Sequence, residues 1–214
     1  MPTWARALIF GAAALTMLLI GATVGLLIGR LGGVDQAAGP TPGPADVGFS
    51  QDMSVHHLQA VTMGNWVRDH STDPAVRQLG FDIASTQLGQ AGQMQGWLTL
   101  WEEPEQATGP MMSWMSGHSG HSEVPSSPGA AMPGMATNDE LAKLRSLSGE
   151  RLDVYFLQLT LRHHMGGVAM AEYAVEHARI PAVRRLAESM LESQGAEMAI
   201  MRGMLADRGA QPLR

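Results

Sequence analysis

The chain has 214 residues and carries 14 lysines and arginines against 20 aspartates and glutamates, a formal net charge of −6. Lys143 is its only lysine and no basic stripe runs along any segment, which argues against nucleic acid as a partner. There is no cysteine beside 16 methionines and 8 histidines, so disulfides and thiolate metal sites are excluded, and a soft-metal ligand has to be methionine or histidine.

The first predicted element is apolar. Residues 7–29, 23 in all, carry no charge and lie between Arg6 and Arg30. A helix needs about 20 such residues to cross a bilayer, and Arg6 with the terminal amine favours a cytoplasmic start. The expectation is one N-terminal transmembrane helix within residues 1–30, a single-pass anchor in the cell membrane with the C-terminal domain extracytoplasmic (periplasmic or extracellular). A signal segment cleaved near Ala37-Ala38 is the alternative. Residues 31–47 form a Gly/Pro linker.

A helix is predicted from about Phe49 to His70. Asp73-Pro74 then restarts the chain as an N-cap followed by proline at the first helical position. The second helix runs to about Trp101, and Pro104 stops it. Residues 104–136 are an insert rich in Ser, Gly and Pro that contains Met111, Met112, Met115, His118, His121, Met132 and Met135. Such a composition predicts a mobile segment without a core. Thr137-Asn138-Asp139-Glu140 fits a capping box opening a short helix to about Ser148-Gly149. A long helix ending near Ala178 and another starting at Pro181 follow.

The two halves are copies of one pattern. An offset of 107 holds without a gap from Phe49/Phe156 to Leu98/Leu205 and pairs His56 with His163, His57 with His164, Met63 with Met170, Gln87 with Gln194, and Met94 with Met201. The predicted fold class is all-α: a four-helix bundle over 48–209 made of two duplicated helical hairpins, 48–101 and 138–209.

Met53, His56, Ala60 and Met63 share one helical face, as do Thr160, His163, Gly167 and Met170. On the return helices, Gln87, Gln90 and Met94 form a stripe, matched by Gln194, Glu197 and Met201. An antiparallel hairpin then sets His56 opposite Gln87 to Gln90 and His163 opposite Gln194 to Glu197. Matched His, Gln and Met inside a bundle point to a repeated metal site. Residues seven apart are separated by about 10.5 Å along a helix, so His56 and Met63 belong to different layers.

The candidate ligands are His56, His57, His163 and His164 with Met53, Met63, Met94, Met170, Met201 and Glu197. Gln87, Gln90 and Gln194 would orient the imidazoles. Met111, Met112, Met115, His118 and His121 would collect ions. Thioether with imidazole suits copper, and thioether alone favours Cu(I). Zinc on two histidines and Glu197 is open, whereas iron is less favoured because no Glu has a His three residues later. The bland alternatives are a methionine core and, for His70 and His177, histidines that meet helix C-terminal dipoles.

At these residues the chain resembles the exported ferritin-like family known as domain of unknown function 305. The resemblance covers roughly 47–208. It rests on LRHHMGGVAMAEYA (161–174) and SQGAEMAIM (193–201), on SVHHLQAVTMG (54–64) and TQLGQAGQM (86–94), and on MPGM (132–135). It implies a ferritin-like four-helix bundle, export, and for some members an association with copper. Leu159 and Thr160 stand where the family often has methionines, and Gln90 faces Glu197 across the duplication, which implies unequal half-sites.

The resulting expectation is an extracytoplasmic, membrane-anchored protein that sequesters or delivers copper, with a transfer protein or a second copy of itself as further partner. No nucleophile, base or phosphate-cradling loop suggests an enzyme. The rival readings are a ferritin-like metal oxidase and a non-metal interaction module with a pH-sensitive histidine core.

Overall fold

A computed structural model describes residues 2, 15–26, 40–115 and 127–213. The chain divides into two compact units, Met1–Thr41 and Pro42–Arg214. In the first, residues 15–26 are helical and exposed. No helix among the described residues is long and apolar enough to cross a membrane, and the rest of the apolar run 7–29 lies outside them.

The second unit is helical, without a strand among the described residues. Its elements are α1 (Pro44–His70), α2 (Pro74–Leu100), a 3-10 turn (Ser113–Met115), α3 (Asn138–Ser146), α4 (Gly149–His177) and α5 (Pro181–Asp207). α1 packs on α2 and α4 on α5 as antiparallel hairpins, and the hairpins meet through α1 and α4. The burial pattern follows. α2 and α5 bury one stripe each, such as Val76, Ile83, Gln87, Met94 and Leu98 on α2. α1 and α4 are covered on several sides and bury much of their circumference.

Local signals set the helix starts. Asp73 Oδ1 accepts hydrogen bonds from the Ala75 and Val76 amides at 2.8 and 3.3 Å, the expected cap of α2. Thr137 and Glu140 close the expected capping box on α3, the Glu140 amide donating to Thr137 Oγ1 at 3.2 Å and the Thr137 amide to Glu140 Oε2 at 2.8 Å. α1 starts at Pro44, upstream of the predicted Phe49. Buried Asp46 explains the earlier start: it accepts from the Gly43 amide at 2.7 Å and from the Arg179 and Ile180 amides at 3.0 and 2.8 Å, tying the starts of α1 and α5 together.

The duplication is visible in detail. Gln51 Nε2 donates to Pro104 O at 2.8 Å, and Gln158 Nε2, 107 residues on, donates to Gln211 O at 2.6 Å. His70 stacks on Trp66 with ring centroids 3.6 Å apart, and His177 on Tyr173 at 3.9 Å. Each of these histidines also donates Nδ1–H to the carbonyl four residues back, which accounts for their place at the helix ends.

The insert departs from expectation. Its described parts dock on the bundle instead of forming a mobile, coreless linker. Asp52 Oδ2 accepts from the Met112 amide at 2.6 Å and from Trp114 Nε1 at 2.8 Å. Trp114 sits edge-on to Phe49 and Tyr173. Met115, Met132 and Met135 are buried. The physical reason is that methionine is apolar enough to be drawn into a core and flexible enough to fill it, while helix side chains satisfy the loop's backbone. His118 and His121 lie outside the described residues.

Candidate metal centre

Consecutive residues on a helix point about 100° apart, and this splits each histidine pair. The first members, His56 and His163, face each other across the α1–α4 seam with ring centroids 3.8 Å apart. The second members turn to their own return helices. His57 Nε2 donates to Gln90 Oε1 at 2.8 Å, and His164 Nε2 to Glu197 Oε2 at 2.6 Å. The sequence pattern had set His56 and His163 against those stripes; the structure gives that place to His57 and His164. All four imidazoles are essentially fully buried.

Each imidazole spends its Nε2 on an oxygen. His163 donates to His56 O at 2.9 Å and His56 to Pro133 O at 3.2 Å. Carbonyls only accept, so both rings carry hydrogen on Nε2 and keep the basic lone pair on Nδ1. The Nδ1 atoms of His56, His57 and His164 are buried with no hydrogen-bond partner. One ring nitrogen anchored to a carbonyl, amide or carboxylate and the other left bare is the arrangement of a metal-ligating histidine. Without a ligand, buried bare lone pairs carry a desolvation cost.

His56, His57 and His163 are held neutral. Burial lowers His56 to about 4, its hydrogen bond to Pro133 opposing the effect and the proximity of His164 adding to it. Burial and the neighbouring imidazoles lower His57 to about 3 against the hydrogen bond it donates to Gln90, and hold His163 well below its ordinary value. Neutral imidazole is the form that binds metal.

The glutamines divide. Gln90 holds His57 as a positioning residue would. At Gly167 a Cβ would stand 3.4 Å from both His56 Cε1 and Gln194 Oε1, so those two side chains converge beside that glycine. Gln87 does not satisfy an imidazole as the sequence suggested: it is buried with both amide atoms unpaired, and Thr160 Oγ1 is unpaired as well.

The methionines fall into two clusters. Met53, Met94 and Met170 pack with Phe49 and with Met115, Met132, Met135 and Met190, while partly buried Met112 borders the same cluster. Met63 and Met201 belong to the other cluster, among Ile83, Phe156 and Leu159, with partly buried Met165, Met198 and Met204 bordering it. The offset exchanges Met63 with Met170 and Met94 with Met201, so the two ends are copies of each other. They are unequal copies, because Thr160 replaces Met53 and Ile83 replaces Met190. Met111 is exposed and stands apart.

Sequence reasoning missed Pro133, Gln59, Arg162, Asp52 and Met190 as parts of this region. None is matched by its own residue type across the duplication, and matching was the signal that found the histidine pairs, Met63/Met170, Gln87/Gln194 and Met94/Met201. Among the described residues, no three His, Asp or Glu side chains are grouped to hold one ion.

The family described as Domain of unknown function (DUF305) matches residues 46–205. The chain belongs to the DUF305 family. A solved DUF305 protein from Streptomyces coelicolor is 46% identical, with 79% of this chain and 97% of that one covered at a TM-score of 0.71. A DUF305 fragment from Deinococcus radiodurans is 34% identical, with 78% and 99% covered and a TM-score of 0.65. CopM in its Cu(II)-bound form is 22% identical, with 76% and 96% covered at 0.58, and at that distance the likeness is one of fold. A comparison with curated proteins gives no match.

Proposed function

We propose that this DUF305 protein binds copper, Cu(I) in preference, and sequesters or delivers it outside the cytoplasm. The observation that carries the reading is the set of three buried, unpartnered Nδ1 atoms, on His56, His57 and His164, in rings anchored through Nε2. Supporting donors are Met53, Met94 and Met170 in the layer that also holds the insert's methionines, with His163 completing the imidazole cluster and Met63 and Met201 forming the poorer layer. Glu197 and Gln90 orient His164 and His57. Neutral N and S donors favour copper over zinc or iron. CopM is known in Cu(I)-, Cu(II)- and Ag-bound forms, which fits the same chemistry on this fold.

The extracytoplasmic setting draws support from the Streptomyces relative, which is assigned as a secreted protein, and from the uncharged run 7–29, proposed as a membrane anchor. A transfer protein or a second copy of this chain would receive the ion.

The test is a Cu(I) competition titration of the full-length protein against the variant with His56, His57, His163 and His164 changed to alanine. Binding by the wild type and its loss in the variant is the expected result. Equal binding by both moves the site to the methionines of the insert, and binding by neither removes copper from the account. Oxygen uptake that continues beyond one equivalent of metal would instead identify an oxidase.

A further inference from the structure

Residues 127–137 cross α1 and α4 as a strap, and the positions that hold it are ones where the two halves differ. Gly166 on α4 has no side chain where the strap passes: a Cβ there would lie 2.1 Å from Pro133 O and 2.7 Å from Gly134 Cα. Gly134 has a φ of 77°, and a Cβ on it would meet Arg162 O at 2.5 Å and Gly166 Cα at 2.9 Å. Backbone is therefore laid directly on backbone, which only glycine permits here.

The residue related to Gly166 by the duplication is Gln59 on α1. Its carboxamide donates to Ala136 O at 2.9 Å and accepts from the Ala136 amide at 2.6 Å, as a neighbouring strand would. Arg162 is buried under the strap. Its guanidinium donates to Gly134 O at 3.4 Å, Met135 O at 3.3 Å, Ser127 Oγ at 2.8 Å and the two oxygens of Glu140 at 2.8 and 2.7 Å. Its counterpart in the first half is Val55, which has no such reach.

What the strap delivers is one carbonyl. The counterpart of the bond from His163 to His56 O would run from His56 to His163 O. His56 instead donates to Pro133 O, on the strap. A neutral imidazole without a fixed acceptor populates both tautomers, and the tautomer with hydrogen on Nδ1 has no lone pair there to give.

We infer that the strap is a working part of the metal site: Gln59 and Arg162 position Pro133, whose carbonyl locks His56 as the Nε2–H tautomer with Nδ1 presented to an incoming Cu(I) or Ag(I) ion. This rests on the copper reading above. Groups that fix the free nitrogen of a ligating histidine are worth roughly 10–100-fold in metal affinity. Gln59 and Arg162 are positioning residues and touch no ion themselves.

Gly166→Ala is the sharpest test, since its Cβ displaces Pro133 O while every histidine and methionine stays in the chain. Alanine is also the better helix former, so α4 is retained. Gln59→Leu releases the strap from the α1 side and decides the matter alone if Gly166→Ala loses helicity. Two readouts are taken on the full-length protein: the ring-nitrogen NMR correlations of His56 without metal, and a Cu(I) competition titration.

The wild type is expected to show a single Nε2–H tautomer. Both variants are expected to show mixed tautomers and an affinity for Cu(I) lower by roughly 10–100-fold. Met132→Leu with Met135→Leu, which removes the strap's thioethers and keeps its backbone, should leave the tautomer intact. Wild-type binding with undiminished affinity in the two strap variants overturns the inference and leaves the copper reading standing. A wild type that binds no Cu(I) overturns both.

Discussion

At the scale of single residues, the buried imidazoles make stability depend on pH. In the unfolded chain His56 and His57 titrate near 6.5, whereas in the fold they titrate near 4 and 3. Between those limits the unfolded chain binds protons that the folded chain refuses. Stability is therefore unaffected above about pH 7 and falls as pH drops from about 6.5 toward 4. Thermal unfolding of the metal-free protein followed by circular dichroism from pH 4 to 7 should show this decline; a flat profile would mean the rings are not buried neutral. A second expectation concerns Arg162. Burial opposes the charge of Glu140, but hydrogen bonds from Arg162, Thr137 and Ser127 prevail and lower it to about 2. Arg162→Ala leaves that carboxylate without its cation and should cost about 3 kcal/mol in urea denaturation.

The helices themselves rest on shorter-range rules. Asp73 caps α2 with its Oδ1 and pairs through Oδ2 with Arg208. Asp73→Ala should cost about 1 kcal/mol in the same denaturation experiment without altering Cu(I) affinity, because the cap lies at the hairpin turn, away from the histidines. This layer of the fold was legible in the sequence. Asp73-Pro74 and Thr137-x-x-Glu140 carry their caps in the residue types, and the 107-residue register predicted both hairpins. The histidine positions were legible too, though a step of one residue around the helix decided which ring meets which partner. Residues 127–137 were not. A Gly/Pro/Met run has no period, and what docks it is a set of side chains on other elements, Gln59, Arg162 and Glu140, that read as ordinary surface polar residues. Trp114, seated between Phe49 and Tyr173, was hidden for the same reason.

Across the whole molecule, the duplication supplies two ends built to one plan and then makes them unequal. One buries Met53, Met94, Met170, Met190 and three insert methionines, while the other buries Met63, Met201 and the unpaired Thr160 hydroxyl, with Met165, Met198 and Met204 only partly buried against it. Met94→Leu and Met201→Leu are equivalent substitutions by register, yet the first should weaken Cu(I) binding and the second should leave the tightest site unchanged. Titration of both variants with Cu(I) checks it; equal effects would mean the ends act alike.

The neutrality of His56, His57 and His163 bears on which ions this interior would admit. The Born energy of moving an ion from water into a poorly polarisable medium grows with the square of its charge. Imidazole lone pairs and thioethers coordinate without cancelling that charge, and Glu197, partly open to solvent, is the one carboxylate bonded to the cluster among the described residues. A divalent ion thus meets about four times the self-energy barrier of a monovalent one, whatever the softness of its orbitals. On the copper reading the protein interior would itself act as a valence filter, and Glu197→Gln should sharpen it, raising the preference for Ag(I) over Zn(II) in a direct competition.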